Sequence, residues 1–121
     1  MPIWLTKSSG NAEFTTSERC HITEIMNTEA TPAASVAVAR VEPGVSTQLH
    51  ALRGVAESYV IKAGTGLMQV GADCHVVEAG DQVVIAADTP QRITNNGEAD
   101  LLFYCICTPR FTVDCYVNLE E

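Results

Sequence analysis

Gly44-Val45-Ser46-Thr47-Gln48-Leu49-His50-Ala51-Leu52-Arg53-Gly54-Val55-Ala56-Glu57-Ser58-Tyr59-Val60-Ile61-Lys62-Ala63-Gly64 is the stretch on which the reading of this chain turns. Pro43-Gly44 signals a turn. A short run to His50 follows, then a break at Gly54, then a strand-like run from Glu57 to Lys62. Alternate residues of a strand point to one side. Glu57, Tyr59 and Ile61 therefore share one face, and Ser58, Val60 and Lys62 share the other. A carboxylate opening an apolar face is costly unless a metal, a hydrogen bond or a proton satisfies it. His50, on the neighbouring strand, is placed to supply a second polar group.

The pattern recurs downstream. Gly80 to Asn95 reads as a strand (Gln82 to Ala86), a turn at Asp88-Thr89-Pro90, and a second strand (Gln91 to Thr94). Gln91, Ile93 and Asn95 share a face, with Arg92 and Thr94 opposite.

Outward from these two stretches, the chain is a series of short strands. Arg19 to Met26 alternates, and Asn27 to Pro32 is a loop. Ala33 to Val41 is apolar on both faces, as in a strand covered on both sides. Gly64-Thr65-Gly66 turns into Leu67 to Val70, which is joined to His75 to Glu78. Leu101 to Cys107 is the last clear strand, with Leu101, Phe103, Cys105 and Cys107 on one face. Its two faces are equally apolar, so the pattern leaves open which lies inside. Residues 1–17 read as an arm or edge strand, and Val113 to Leu119 as a terminal strand or tail. Many short strands with regular turns and no helical period predict an all-β sandwich or barrel.

Composition bounds the rest. A chain of 121 residues, 46% hydrophobic and 18% charged, is sized for one domain, 1–121, with one core. A net charge of −8 argues against nucleic acid and anionic membrane surfaces as partners. No apolar run is long enough for a membrane span or a signal peptide. Five cysteines without C-x-x-C spacing fit a reduced, cytoplasmic setting.

The two glycine-bounded stretches resemble the paired motifs of the cupin superfamily, written G-x5-H-x-H-x3/4-E-x6-G and G-x5-P-x-G-x2-H-x3-N. Gly44, His50, Glu57 and Gly64 match the first, and Gly80 and Asn95 match the second. The second histidine of the first motif is Leu52, and the histidine of the second is Gln91. The proline and glycine of the second are Ala86 and Asp88. The resemblance covers about residues 35–110, with 111–121 as tail or terminal strand. It implies a single-domain cupin-type jelly-roll β-barrel with its site inside, and a homodimer.

Combining the inward faces predicts a pocket with His50, Glu57 and Gln91 converging among Leu52, Ile61 and Ile93. A mostly apolar pocket with a few polar groups is the usual small-molecule site. The expected set is His50, Glu57 and Gln91 on a divalent metal cation (Zn, Fe, Ni or Mn), against plain hydrogen-bonded barrel residues. Glu57 and Tyr59 are the candidate catalytic residues for moving a proton. Without a metal, burial should raise the pKa of Glu57 toward the range useful in proton transfer. Cys105 and Cys107 are candidate pocket thiols, as soft ligands or nucleophiles, against small core residues.

These features predict a small-molecule enzyme with isomerase, lyase or decarboxylase chemistry on a small, largely apolar substrate. The alternative is a non-catalytic binding cupin. Dioxygenase activity is disfavoured because the set departs from the two-histidine, one-carboxylate triad. A sugar-phosphate isomerase would need an inward basic group. Lys62 and Arg92 point outward, leaving only Arg53 and Arg110 near the mouth.

Overall fold

The computed structural model describes residues 4–5 and 12–120. Eleven β-strands and one short 3-10 turn make up its regular structure among the described residues. The strands are β1 (Phe14–Thr15), β2 (His21–Met26), β3 (Ser35–Val41), β4 (His50–Leu52), β5 (Ala56–Ala63), β6 (Thr65–Val70), β7 (Asp73–Glu78), β8 (Gln82–Ile85), β9 (Gln91–Thr94), β10 (Leu101–Thr108) and β11 (Tyr116–Asn118). The 3-10 turn, Val113–Cys115, precedes β11 and occupies part of the expected terminal strand. Of the expected N-terminal arm, residues 14–15 form an edge strand, and residues 1–3 and 6–11 lie outside the described residues.

All pairings are antiparallel. One sheet has six strands in the order β1-β2-β3-β10-β5-β8, and the facing one has five in the order β11-β4-β9-β6-β7. The all-β, two-sheet expectation holds. Strands adjacent in sequence often sit in opposite sheets, as β5 and β6 do, so the turn expected at 64–66 is a corner between sheets. Gly64 makes it alone, with φ +90. A Cβ there would stand 2.8 Å from the Asp100 carbonyl oxygen, so only glycine fits.

Asn95 ties this corner region together. It is fully buried, and its Nδ2 donates to the Val41 carbonyl at 2.9 Å and the Ala99 carbonyl at 2.8 Å. Its Oδ1 accepts from the Gly97 amide at 2.9 Å. A buried amide with three partners stabilises a loop that would otherwise leave carbonyls unpaired.

Strand alternation fixes which side chains enter the barrel, and side-chain size fixes where it is filled. Along β5 the inward order is Glu57, Tyr59, Ile61; along β10 it is Cys107, Cys105, Phe103, Leu101. At one end Ile61, Phe103 and Leu101 meet Val41, Ile85 and Ile93, each at most 2% exposed, and fill the space. Burying each such side chain contributes about 1.5–3 kcal/mol. At the other end the inward residues are small: Ser35, Ala37 and Ala39 on β3 and the two cysteines on β10. There the barrel does not close, and a cavity of about 460 Å³ remains.

Candidate active site

The cavity wall is largely apolar, and its polar groups come from both sheets and from the segment before β2. Register explains the local geometry. Cys107 lies opposite Glu57 across the β10–β5 ladder, and His50 lies opposite Gln91 across β4–β9. Asn118 pairs with His50, so Tyr116, two residues earlier on the same face, stacks on the imidazole (centroids 4.9 Å, 16° between planes).

Glu57 is the centre of the site. It is 8% exposed, and its Oε1 has no hydrogen-bond partner. Oε2 accepts a long bond from the Cys107 thiol at 3.5 Å. Burial raises its pKa from the ordinary 4.5 to about 7. The polar neighbours Cys107, Gln91 and Cys105 act the other way, and the nearby Glu18 charge adds to the rise. Gln91, 1% exposed, links Glu57 to Tyr59. The Tyr59 hydroxyl donates to Gln91 Oε1 at 2.6 Å, which leaves the amide nitrogen as the donor toward Glu57.

Tyr59 itself is 4% exposed and stacks on Phe103 (centroids 4.5 Å). Burial and the Glu57 charge push its hydroxyl well above the ordinary range, so it stays protonated. Cys105 and Cys107 both line the cavity, which settles the open question of the β10 faces. Burial and the adjacent Glu57 push both thiols up, so they are neutral donors rather than nucleophiles. Leu52 also lines the wall.

Ile61 and Ile93 do not line the cavity, contrary to the sequence expectation. They point inward as alternation requires, but at the depth where the two sheets are packed solid. Gln91 likewise lies beneath the wall rather than in it, and acts through Glu57. Neither Arg53 nor Arg110 reaches the cavity lining; Arg110 Nε donates to Asn27 Oδ1 at 2.9 Å.

Among the lining residues outside the site expected from sequence, two stand beside His50. Glu18 enters the cavity from the turn before β2, where Arg19 takes φ +71 and reverses the chain. Its Oε1 accepts from the Cys20 thiol at 2.8 Å, and its Oε2 lies 3.9 Å from His50 Nε2. Tyr116 is the second; its hydroxyl donates to Gln48 Oε1 at 2.5 Å. No periodicity marks Glu18, because it sits in a turn.

His50 Nδ1 donates to the Gln48 carbonyl at 2.6 Å, which leaves Nε2 for the cavity. Glu57 Oε1 is unengaged. Gln91 Oε1, however, is taken by Tyr59, and Leu52 has no donor. Among the described residues no three His, Cys, Asp or Glu side chains are arranged to hold a metal ion. The open donors of the expected set are two, fewer than the three protein ligands of an ordinary catalytic zinc site, and Glu18 Oε2, 3.9 Å from His50 Nε2, does not complete a group of three with them. The residues present do not fit a resident metal.

Comparison with known proteins agrees with the fold. Residues 37–107 match the family described as Cupin domain. The uncharacterized protein MJ1618 of Methanocaldococcus jannaschii is 35% identical over 78 residues, covering 64% of this chain. The match covers 62% of that protein, less than two thirds of its length. Among solved structures, a predicted oxalate decarboxylase of Thermotoga maritima is 24% identical with a TM-score of 0.77, over 87% of this chain and 98% of that one. Pac13, described as a nucleoside dehydratase, is 15% identical with a TM-score of 0.78, over 94% and 88%. A Streptomyces PAC13 variant solved with uridine is 14% identical with a TM-score of 0.81, over 98% and 92%. At these identities the solved structures establish the fold alone.

Proposed function

The chain belongs to the cupin family, and from that premise we propose that it is a small-molecule enzyme in which Glu57 moves a proton. The reaction class is lyase or isomerase, on a small, largely apolar organic substrate. One observation carries this reading: a carboxyl group 8% exposed, with Oε1 unpartnered, on a residue that lines a largely apolar cavity. Leaving such a group unsatisfied costs stability. A bound substrate would relieve that cost.

The chemistry follows from the surroundings. A pKa of about 7 lets Glu57 take a proton as the carboxylate and return it as the acid near neutral pH. His50, with its Nδ1 hydrogen held by the Gln48 carbonyl, presents Nε2 as a second acceptor. Tyr59 positions Gln91, and Gln91 positions Glu57. In this account Tyr59 is a positioning residue rather than the acid, and no step runs through a metal.

The test is incubation of the protein with pooled small metabolites in D2O, read by mass spectrometry. Parent protein should cause loss or gain of water or deuterium uptake in a specific compound. Glu57→Gln should slow it by about 10²–10⁴-fold, the usual contribution of a general acid–base group. A compound turned over equally by both proteins would overturn the role of Glu57. Tight binding with no product would favour the binding-barrel alternative.

A further inference from the structure

We propose that the cavity takes a small organic cation, with its ammonium group beside Glu18 and its apolar body against the aromatic wall. The inference rests on the cavity reading above for the place of the ligand and adds its charge class.

The first support is the charge of the wall. Glu18 and Glu57 are among its lining residues, and His50 is its one basic side chain among the described residues. With both carboxyls ionised the wall is net negative even against His50 as imidazolium. Seven Lys and Arg occur in the sequence, and Lys7 lies outside the described residues. None of the other six lines the cavity. Several are held elsewhere: Arg19 on Glu120 at 2.9 Å, Arg40 on Glu13 at 2.7 Å, Arg92 on Gln69 at 2.8 Å. A phosphate or carboxylate ligand would enter a largely apolar space against carboxylates, with no Lys or Arg among the described residues to meet it. Desolvation and like-charge repulsion would both oppose it.

The second support is independent of the charge count. Glu57 lines the cavity, and its Oε1 is buried without a hydrogen-bond partner, so the site has an acceptor that a ligand's donor can satisfy. Glu18 Oε2 is 3.9 Å from His50 Nε2, beyond hydrogen-bond reach, and can also accept. An ammonium group supplies several donors and a positive charge at once. The third support is the aromatic lining, with the rings of Phe14, Phe103, Phe111 and Tyr116 in the wall. Aromatic faces attract cations, most strongly where water is excluded.

The test uses three probes of one shape and different charge: 2-phenylethylamine, 2-phenylethanol and phenylacetate. Their affinities for the full chain would be measured by titration calorimetry or by protein NMR at neutral pH. The amine should bind at least tenfold tighter than the alcohol, and the acid should not bind measurably. In Glu18→Gln the amine-to-alcohol ratio should fall toward one, and in Glu57→Gln it should also fall. A ratio taken within one variant stays readable if that variant is less stable. Equal affinities, tighter binding of phenylacetate, or binding of none of the three at 10 mM would overturn the proposal. So would an amine preference unchanged in both variants, because that would trace to the acidic surface. Binding is read here without turnover, so its failure leaves the Glu57 proton-transfer reading standing, and the reverse also holds.

Discussion

The Tyr59 hydroxyl donates to Gln91 Oε1 at 2.6 Å, and both groups are buried between the two sheets. The bond fixes which end of the Gln91 amide faces Glu57. An amide nitrogen there favours the carboxylate form of Glu57 and opposes the effect of burial.

Tyr59→Phe tests this chain of contacts. The variant keeps the ring that stacks on Phe103 and removes only the hydroxyl. It leaves Gln91 Oε1 without its donor, at a cost of about 1–3 kcal/mol in unfolding free energy. With the amide free to turn, Glu57 should titrate at higher pH. The expected outcome is a pH–rate profile whose acidic limb moves upward. A lower rate with an unmoved profile would reduce Tyr59 to a packing residue.

Glu57 also makes stability depend on pH, with a definite sign. Its pKa is about 7 when folded, against an ordinary 4.5. Between those values the unfolded chain has lost the proton and the folded chain still holds it. Stability therefore falls as pH rises from about 4.5 to about 7 and levels off above. The change from this one group is roughly 3 kcal/mol. Denaturant titrations of parent and Glu57→Gln at pH 5 and pH 8 isolate it, because other groups contribute equally to both proteins. The parent should lose more stability over that interval than the variant. An equal loss would show that Glu57 is not buried as the neutral acid.

Asn95→Ala should cost more than its size suggests. The substitution leaves the Val41 and Ala99 carbonyls and the Gly97 amide without their partner in a region closed to water. A loss of about 2–4 kcal/mol is expected from unpaired buried groups and the space left behind. Chemical denaturation measures it. Asn95→Asp, which keeps the acceptor for Gly97 and loses both donors, should also be destabilised.

These residues show what could be read before the structure. Gly44, Gly64, Gly80 and Asn95 mark turns, so turn signals and the match to the paired motifs placed them. Asp88 replaces the glycine of the second motif yet keeps its left-handed backbone, with φ +68. Its carboxylate accepts from the Gly54 amide at 3.0 Å, which ties the two motifs together. Alternation gave the inward side of each strand, as the burial of Glu57, Tyr59, Ile61, Gln91 and Ile93 shows. It could not give depth. Ile61 and Glu57 share a face, but one fills the core and the other faces the cavity, because the widths of Ser35, Ala37 and Ala39 across the barrel decide where space remains. Glu18 was hidden for a different reason. Its position depends on a turn held by long-range contacts, including Arg19 Nε to the Ser46 carbonyl at 2.8 Å and the Gln48 amide to the Glu18 carbonyl at 2.9 Å.

Metal content separates the present reading from the ligand set that the motif suggests. His50 Nε2 and Glu57 Oε1 are two open donors, while the third expected donor is engaged by Tyr59. Untagged protein should carry well under one equivalent of Zn, Fe, Ni or Mn by elemental mass spectrometry. A chelator should leave its melting temperature unchanged, since removal of a structural ion would lower it through mass action. Near-stoichiometric metal, lost in His50→Ala, would instead mean that Tyr59 releases Gln91 and that the amide oxygen turns to an ion. Tyr59→Phe would then tighten metal binding against a chelator, because it frees that oxygen, whereas in the metal-free site the same variant shifts the titration of Glu57 and lowers stability without metal uptake.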